Sequence, residues 1–161
     1  CIFKGLSGTS AGGALYTNTG VTGRFTGCTF ENNTNTTHGG AVACSGSTNY
    51  FTDCVFTGNT VTGAKSDGGA IFLQKAEIVN CTFTQNSTTR YGGAISQKND
   101  IATNGVLTIK NSTFTQNKST AAKGGGGALL TWMGDVTVEN CSFEGNAVEG
   151  SGGSGGAACP L

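Results

Sequence analysis

Seven cysteines, nine carboxylates, one histidine and seven Asn-x-Ser/Thr triplets are the groups in this chain whose chemistry could serve a function. Cys1, Cys28, Cys54, Cys81 and Cys141 recur at a near-constant interval, and Ser112 fills the one place in the series that lacks sulfur. Thiols so spaced could bond between neighbouring turns of a repeat or pack as small apolar groups. Ser112 shows that the position does not require sulfur, so stacked free thiols are the expectation. Cys44 and Cys159 fall outside the series and about four repeats apart, too far to join within one chain. They are the candidates for a bond to another molecule. Zinc-type pairing of cysteines at short spacing is missing, so no metal and no cofactor is expected.

The carboxylates are Glu31, Asp53, Asp67, Glu77, Asp100, Asp135, Glu139, Glu144 and Glu149. Polysaccharide lyases and hydrolases need such groups to converge, as a pair or with a cation and a base. Only Glu31 and Glu144 share a repeat position, and they lie four repeats apart. His38 precedes Gly39-Gly40 without a recognisable partner and reads as an exposed loop residue. Trp132 and Met133 could form a platform for a sugar ring, although such a pair more often packs within a strand. No catalytic residue is assigned, and a polysaccharide-active enzyme stays the alternative reading. The triplets make Asn32, Asn35, Asn80, Asn86, Asn111, Asn117 and Asn140 candidates for N-linked sugar if the chain is secreted by a eukaryote. Asn32 and Asn35, in the loop ENNTNTTH, are the most accessible by sequence, whereas Asn86 and Asn117 could instead point inward.

What must position these residues is a repeat. One Phe per period, at Phe3, Phe30, Phe56, Phe83, Phe114 and Phe143, gives spacings of 27, 26, 27, 31 and 29 residues. Three residues after each of the last five stands Asn33, Asn59, Asn86, Asn117 or Asn146; the first period has Leu6 there. Gly-Gly-Ala and an aliphatic residue recur between them at 12–15, 39–42, 68–71, 92–95 and 126–129, with a sixth copy from Gly155. The Cys or Ser two residues before Phe shares its face of a strand, so both should point inward. Before it stand Gly27, Asp53, Asn80, Asn111 and Asn140, types that tolerate a left-handed bend. Apolar alternation upstream of the bend, as in Leu107/Ile109 and Val136/Val138, adds another strand.

One period thus reads as three short strands with intervening turns, one coil of a parallel β-helix. The expected fold is all-β, a single-stranded parallel β-helix of about six coils occupying residues 1–161 as one domain. At ~4.8 Å per coil it would make a rod of roughly 30 Å in which like residues stack. Length differences fall mainly in loops, such as the insert at 97–105. Gly contributes 28 residues, and charged residues are 11% of the chain with zero formal net charge. Nothing in that balance attracts a phosphate backbone, so nucleic acid is not an expected partner. No apolar run approaches the ~20 residues of a transmembrane helix.

The alternation of GGA-[Ile/Leu/Val] with Phe-x-x-Asn resembles the repeat of the chlamydial polymorphic outer-membrane proteins. These are surface adhesins whose passenger region is a right-handed parallel β-helix. The matching pairs are Phe30/Asn33, Phe56/Asn59, Phe83/Asn86, Phe114/Asn117 and Phe143/Asn146, spread over nearly the whole chain. The resemblance implies the handedness and a non-catalytic extracellular or cell-surface role. The anchoring β-barrel that follows the passenger in that family has no counterpart here, so the resemblance does not carry membrane anchoring over. The chain starts within one strand and stops after another, with no polar cap. That leads to two expectations: copies that stack head to tail into a filament, or a segment of a longer passenger. A host-cell or matrix surface, or a glycan, is the expected external partner.

Overall fold

In the computed structural model, which describes residues 1–97, 105–132 and 134–160, the chain winds into a parallel β-helix built from four sheets. The Phe sheet stacks Ile2–Lys4, Thr29–Glu31, Val55–Thr57, Thr82–Thr84, Thr113–Thr115 and Ser142–Glu144 in that order. A corner sheet of two-residue strands follows the Asn positions, from Ser7–Gly8 through Thr34–Asn35 to Ala147–Val148. The Gly-Gly-Ala sheet runs through Leu15–Thr17, Val42–Cys44, Ile71–Leu73, Ile95–Gln97, Leu129–Thr131 and Ala158–Pro160. The fourth comprises Arg24–Thr26, Thr48–Thr52, Lys75–Val79, Val106–Lys110 and Asp135–Glu139. A coil therefore holds four strands where the sequence reading expects three. The corner strands escape that reading because two residues cannot display an alternating pattern. Six Phe rungs bound about five full turns, slightly fewer than the six coils expected.

Every pairing among the described strands is parallel, and the Phe sheet places ring on ring, with Phe3↔Phe30, Phe30↔Phe56, Phe56↔Phe83, Phe83↔Phe114 and Phe114↔Phe143. Ring centroids lie 4.7 to 4.8 Å apart, so the coil spacing itself sets the stacking distance. Phe25 and Phe51 form a second stack, and Phe51 meets Phe56 edge-on at 5.8 Å. Ile71, Ile78, Ile95, Leu107 and Ile109 fill the rest of the interior. Fully burying each such side chain stabilises the fold by ~1.5–3 kcal/mol before ordering is counted.

Corners come from left-handed residues. Gly27, Asp53, Asn80, Asn111 and Asn140 have φ of 51 to 59°, as the sequence leads one to expect. A second left-handed file, Gly5, Asn32, Gly58, Gln85, Gln116 and Gly145, turns the chain two residues after each Phe. The two glycines of each Gly-Gly-Ala have different duties. Gly39 turns the chain at φ 65°, while a Cβ on Gly40 would collide with the carbonyl oxygen of Gly69 one coil on. Neither place accepts a side chain without strain.

Candidate functional site

Most of the residues whose chemistry looked available are committed to the interior. Asn59 shows the pattern of the amide ladder. Its Nδ2 donates to Asn86 Oδ1 at 2.9 Å and to the Phe30 carbonyl at 2.9 Å. Its Oδ1 accepts from the backbone N–H of Asn33 at 3.0 Å and from Asn33 Nδ2 at 2.9 Å. Asn86 and Asn117 repeat this arrangement and are fully buried. Each amide thus uses both donors and both lone pairs, which is what a buried polar group requires.

The cysteine file works in a related way. Cys81 Sγ donates to the Val79 carbonyl at 3.3 Å and accepts from the Cys54 N–H at 3.4 Å. Ser112 Oγ donates to the Lys110 carbonyl at 2.8 Å and accepts from the Cys81 N–H at 3.0 Å. A small side chain with one X–H and one lone pair is the requirement, so thiol and hydroxyl interchange. Cys1, Cys28, Cys54, Cys81 and Cys141 are all free thiols. The contact with Cys54, together with burial, holds the Cys81 thiol well above its ordinary range.

Two expectations about exposure need correction. Cys44, a candidate for bonding another molecule, lies on an inward-facing strand position and is 1% exposed. Burial pushes its thiol from 9.0 up to about 11, which suppresses the thiolate that exchange chemistry needs. Cys159, the other candidate, has its side chain outside the described residues, as do Met133 and Asp100. Asn35 sits in a corner strand and not in an open loop. It is 1% exposed, and its Oδ1 accepts from the backbone N–H of Thr37 at 2.7 Å. Asn32, Asn80, Asn111 and Asn140 are exposed at the left-handed bends. Along one ridge Asn80 Nδ2 donates to Asp53 Oδ1 at 2.9 Å.

Among the described residues the carboxylates do not assemble as a catalytic pair. Glu31 pairs with Lys4 at 3.0 Å, Glu139 with Lys110 at 2.9 Å and Glu149 with Lys118 at 3.4 Å, all on the surface. Among the described residues no group of three His, Cys, Asp or Glu could hold a metal ion. No helix among the described residues is long and apolar enough to cross a membrane.

One cluster does come together outside the core. The residues just before each Gly-Gly pair form a file of parallel bridges, Ala11, His38, Asp67, Tyr91, Gly125 and Ser154. Asp67, 4% exposed, receives Arg90 as a two-point contact, Nε to Oδ1 at 2.8 Å and Nη2 to Oδ2 at 2.5 Å. That bond raises the Arg90 pKa further. The Arg90 guanidinium also lies 4.8 Å from the Tyr91 ring centroid. His38 Nδ1 is 3.9 Å from Asp67 Oδ2, and the His38 ring stacks on Phe72 at 4.4 Å. Tyr91 meets Trp132 edge-on at 5.4 Å. His38 is therefore half-buried in a structured file and not a loose loop residue. Reading the position before each Gly-Gly in register would have found the file; its six different residues hide it from a search for identity.

Residues 27–45, 53–74, 80–98 and 111–131, together half of the chain, match the Chlamydia polymorphic membrane protein repeat. The chain belongs to that family. Each matched block joins Phe-x-x-Asn to Gly-Gly-Ala or its flanks, so the family's signature consists of the Phe rung, the amide ladder and the Gly-Gly corner described above. The chain is also 37% identical over 90 residues, 53% of its length, to the probable autotransporter YfaL of Escherichia coli (strain K12). It spans about 7% of that relative's length. No solved structure matches.

Proposed function

We propose that the chain is a stretch of a surface-exposed passenger, a non-catalytic β-helix that holds its outer faces toward a host cell or matrix. The observation that carries this reading is the division of labour between residues. The repeated Phe, Asn, Cys and Gly are used up in stacking coils, while the positions before each Gly-Gly pair keep their backbone bridges and change residue from coil to coil. Membership of a polymorphic membrane protein repeat family and likeness to a probable autotransporter support surface exposure. The exposed bend asparagines Asn32, Asn80, Asn111 and Asn140 are the sequon positions that sugar attachment would use, which intact mass before and after deglycosylation reads directly. Purified chain on fluorescent beads should adhere to cultured epithelial cells or to a deposited matrix. Beads that bind neither, at any coating density, would remove the adhesive role. Turnover of pectin or another polyuronide, with or without Ca²⁺, would restore the enzyme reading.

A second reading concerns self-association. Val136 and Val138 pair in register with the buried Leu107 and Ile109, yet are 37% and 42% exposed. That apolar cross-section suits a further coil, from a longer chain or from a second copy stacked head to tail. Sedimentation at rising concentration tests the second copy, and a species that stays monomeric throughout rejects it.

A further inference from the structure

We propose that the outer face of the Gly-Gly-Ala sheet is a carbohydrate-binding strip, which takes a neutral oligosaccharide laid along the solenoid axis over Tyr16, Phe72, Tyr91 and Trp132. The assignment rests on the display role above and names the chemistry of its partner. The internal repeat supplies the first argument. In the Phe and Asn files successive coils carry the same residue; before Gly-Gly they carry Ala11, His38, Asp67, Tyr91, Gly125 and Ser154 in an unbroken file of bridges. The middle residues of the adjoining strands, Tyr16, Ala43, Phe72, Ser96 and Leu130, differ equally while remaining in register. Backbone pairing holds both files; Ala43, Asp67, Ser96 and Leu130 are buried among their neighbours, and the larger Tyr16 and Trp132 rings stand exposed over them.

The second argument is chemical. A sugar ring has an apolar C–H face and a polar rim, so its site needs aromatic rings beside fixed hydrogen-bonding groups. Tyr16 is 51% and Trp132 36% exposed, large rings in water whose polar tips suit an interface. They stand four strands apart, ~19 Å at the usual strand spacing, with Phe72 and Tyr91 between them. Arg90 commits two of its N–H groups to Asp67, which locks the guanidinium plane and balances its charge. A strip whose charges cancel in this way favours a neutral sugar over a polyanion.

Ser96 provides the third, independent observation. It lies on the outward-facing position between Phe72 and Leu130, is fully buried, and its hydroxyl has no hydrogen-bond partner among the described residues. Buried hydroxyls are normally paired, and a sugar hydroxyl or a water brought with it supplies the missing contact.

Trp132 is the only tryptophan, so its emission reports on the strip. Titration of the intact chain with chitohexaose, cellohexaose and a linear poly-N-acetyllactosamine hexasaccharide should give a saturable change with at least one. By calorimetry, Tyr91→Ala and Trp132→Ala should weaken that sugar about tenfold or more, and Trp132→Phe should recover part of the loss. Thr113→Ala, on the Phe sheet, should bind as the parent does. Circular dichroism confirms that each variant is folded. No saturable response to any of the three sugars, or equal affinity in Tyr91→Ala and the parent, overturns the proposal, as does stronger binding of a heparin fragment. Bead adhesion that survives enzymatic removal of cell-surface glycans overturns the sugar assignment and leaves the display role intact. A Trp132 response to sugar without adhesion to any cell overturns the display role alone.

Discussion

In the Phe stack and the Asn corner, neighbouring coils present the same residue at the same place; on the outer side of the Gly-Gly-Ala sheet, neighbouring coils present different ones. The Phe stack runs through five consecutive steps and the amide ladder through four, each rung meeting the next. The outer file changes from histidine to carboxylate to phenol within three coils, although its backbone bridges persist. The difference teaches where the fold is made. Ladder identity is enforced because a rung contacts its copies on both sides, so a misfit is felt twice. Residues of the outer file meet unlike neighbours, as Asp67 meets Arg90 and His38 meets Phe72, so no one type is required at each step.

The strongest way to break this contrast is to remove a ring from the middle of the stack. Phe83→Ala should destabilise the chain by about 3–5 kcal/mol in denaturant unfolding, because the cavity opens between Phe56 and Phe114. Asn86→Ala follows at about 3 kcal/mol. It strips the Phe56 carbonyl of a donor and leaves both the backbone N–H and the amide of Asn59 without their acceptor. A loss below about 1 kcal/mol in either variant would mean that the ladders register the coils without stabilising them.

A buried thiol tests the same interior by pH. Cys44 keeps its proton up to about 11 in the folded chain, against 9.0 for an ordinary thiol, and burial is the main cause. The folded state therefore binds more protons than the unfolded one between these values. Stability from this source is complete below pH 9 and is lost as pH rises toward 11, by about 3 kcal/mol. Cys44→Ala should flatten that part of the stability profile. The same burial should make Cys44 slow to alkylate near neutral pH while the exposed Cys1 reacts promptly.

Much of the interior was legible because a rung announces itself by recurrence. Phe, Asn, Cys and Gly-Gly-Ala recur at matching intervals, and the Gly/Asp/Asn types at the bends imply their left-handed backbone. The corner strands were not legible, since Thr34–Asn35 or Thr60–Val61 is too short to alternate. Without that strand in view, Asn35 reads as a loop residue. Cys44 was misread because no other coil has cysteine there; its rung partner is Thr17, so recurrence offered no clue to its inward position. The hydrogen-bonding role of the cysteine file needed coordinates, although Ser112 was the hint that a lone pair and a proton mattered more than sulfur. The outer cluster was hidden for the opposite reason, because its members have nothing in common but their place.

Two milder substitutions sharpen the contrast from each side. Cys81→Ser should change stability by less than about 1 kcal/mol, since a hydroxyl can take over the bonds to Val79 and Cys54 as Ser112 does one coil on. Cys81→Val, closer in bulk but unable to donate or accept, should be the worse of the two. That ranking separates a hydrogen-bonding file from a merely apolar one.

The smallest effect is expected at Tyr16, on the outer face. Half of the residue is in water, and its visible polar contact is a hydroxyl approach of 3.2 Å to Ser45 Oγ, itself on the surface. Replacing it by Ser leaves the paired strand Leu15–Thr17 with its backbone bonds and its inward Leu15 unchanged. Tyr16→Ser should therefore alter unfolding free energy by no more than about 0.5 kcal/mol, within the range of ordinary surface changes. If it instead destabilised the chain as much as Cys81→Val, the outer residues would be part of the packing, and their variety would reflect coil-by-coil fitting. A neutral result combined with lost adhesion would show that the variable file is maintained for what it touches.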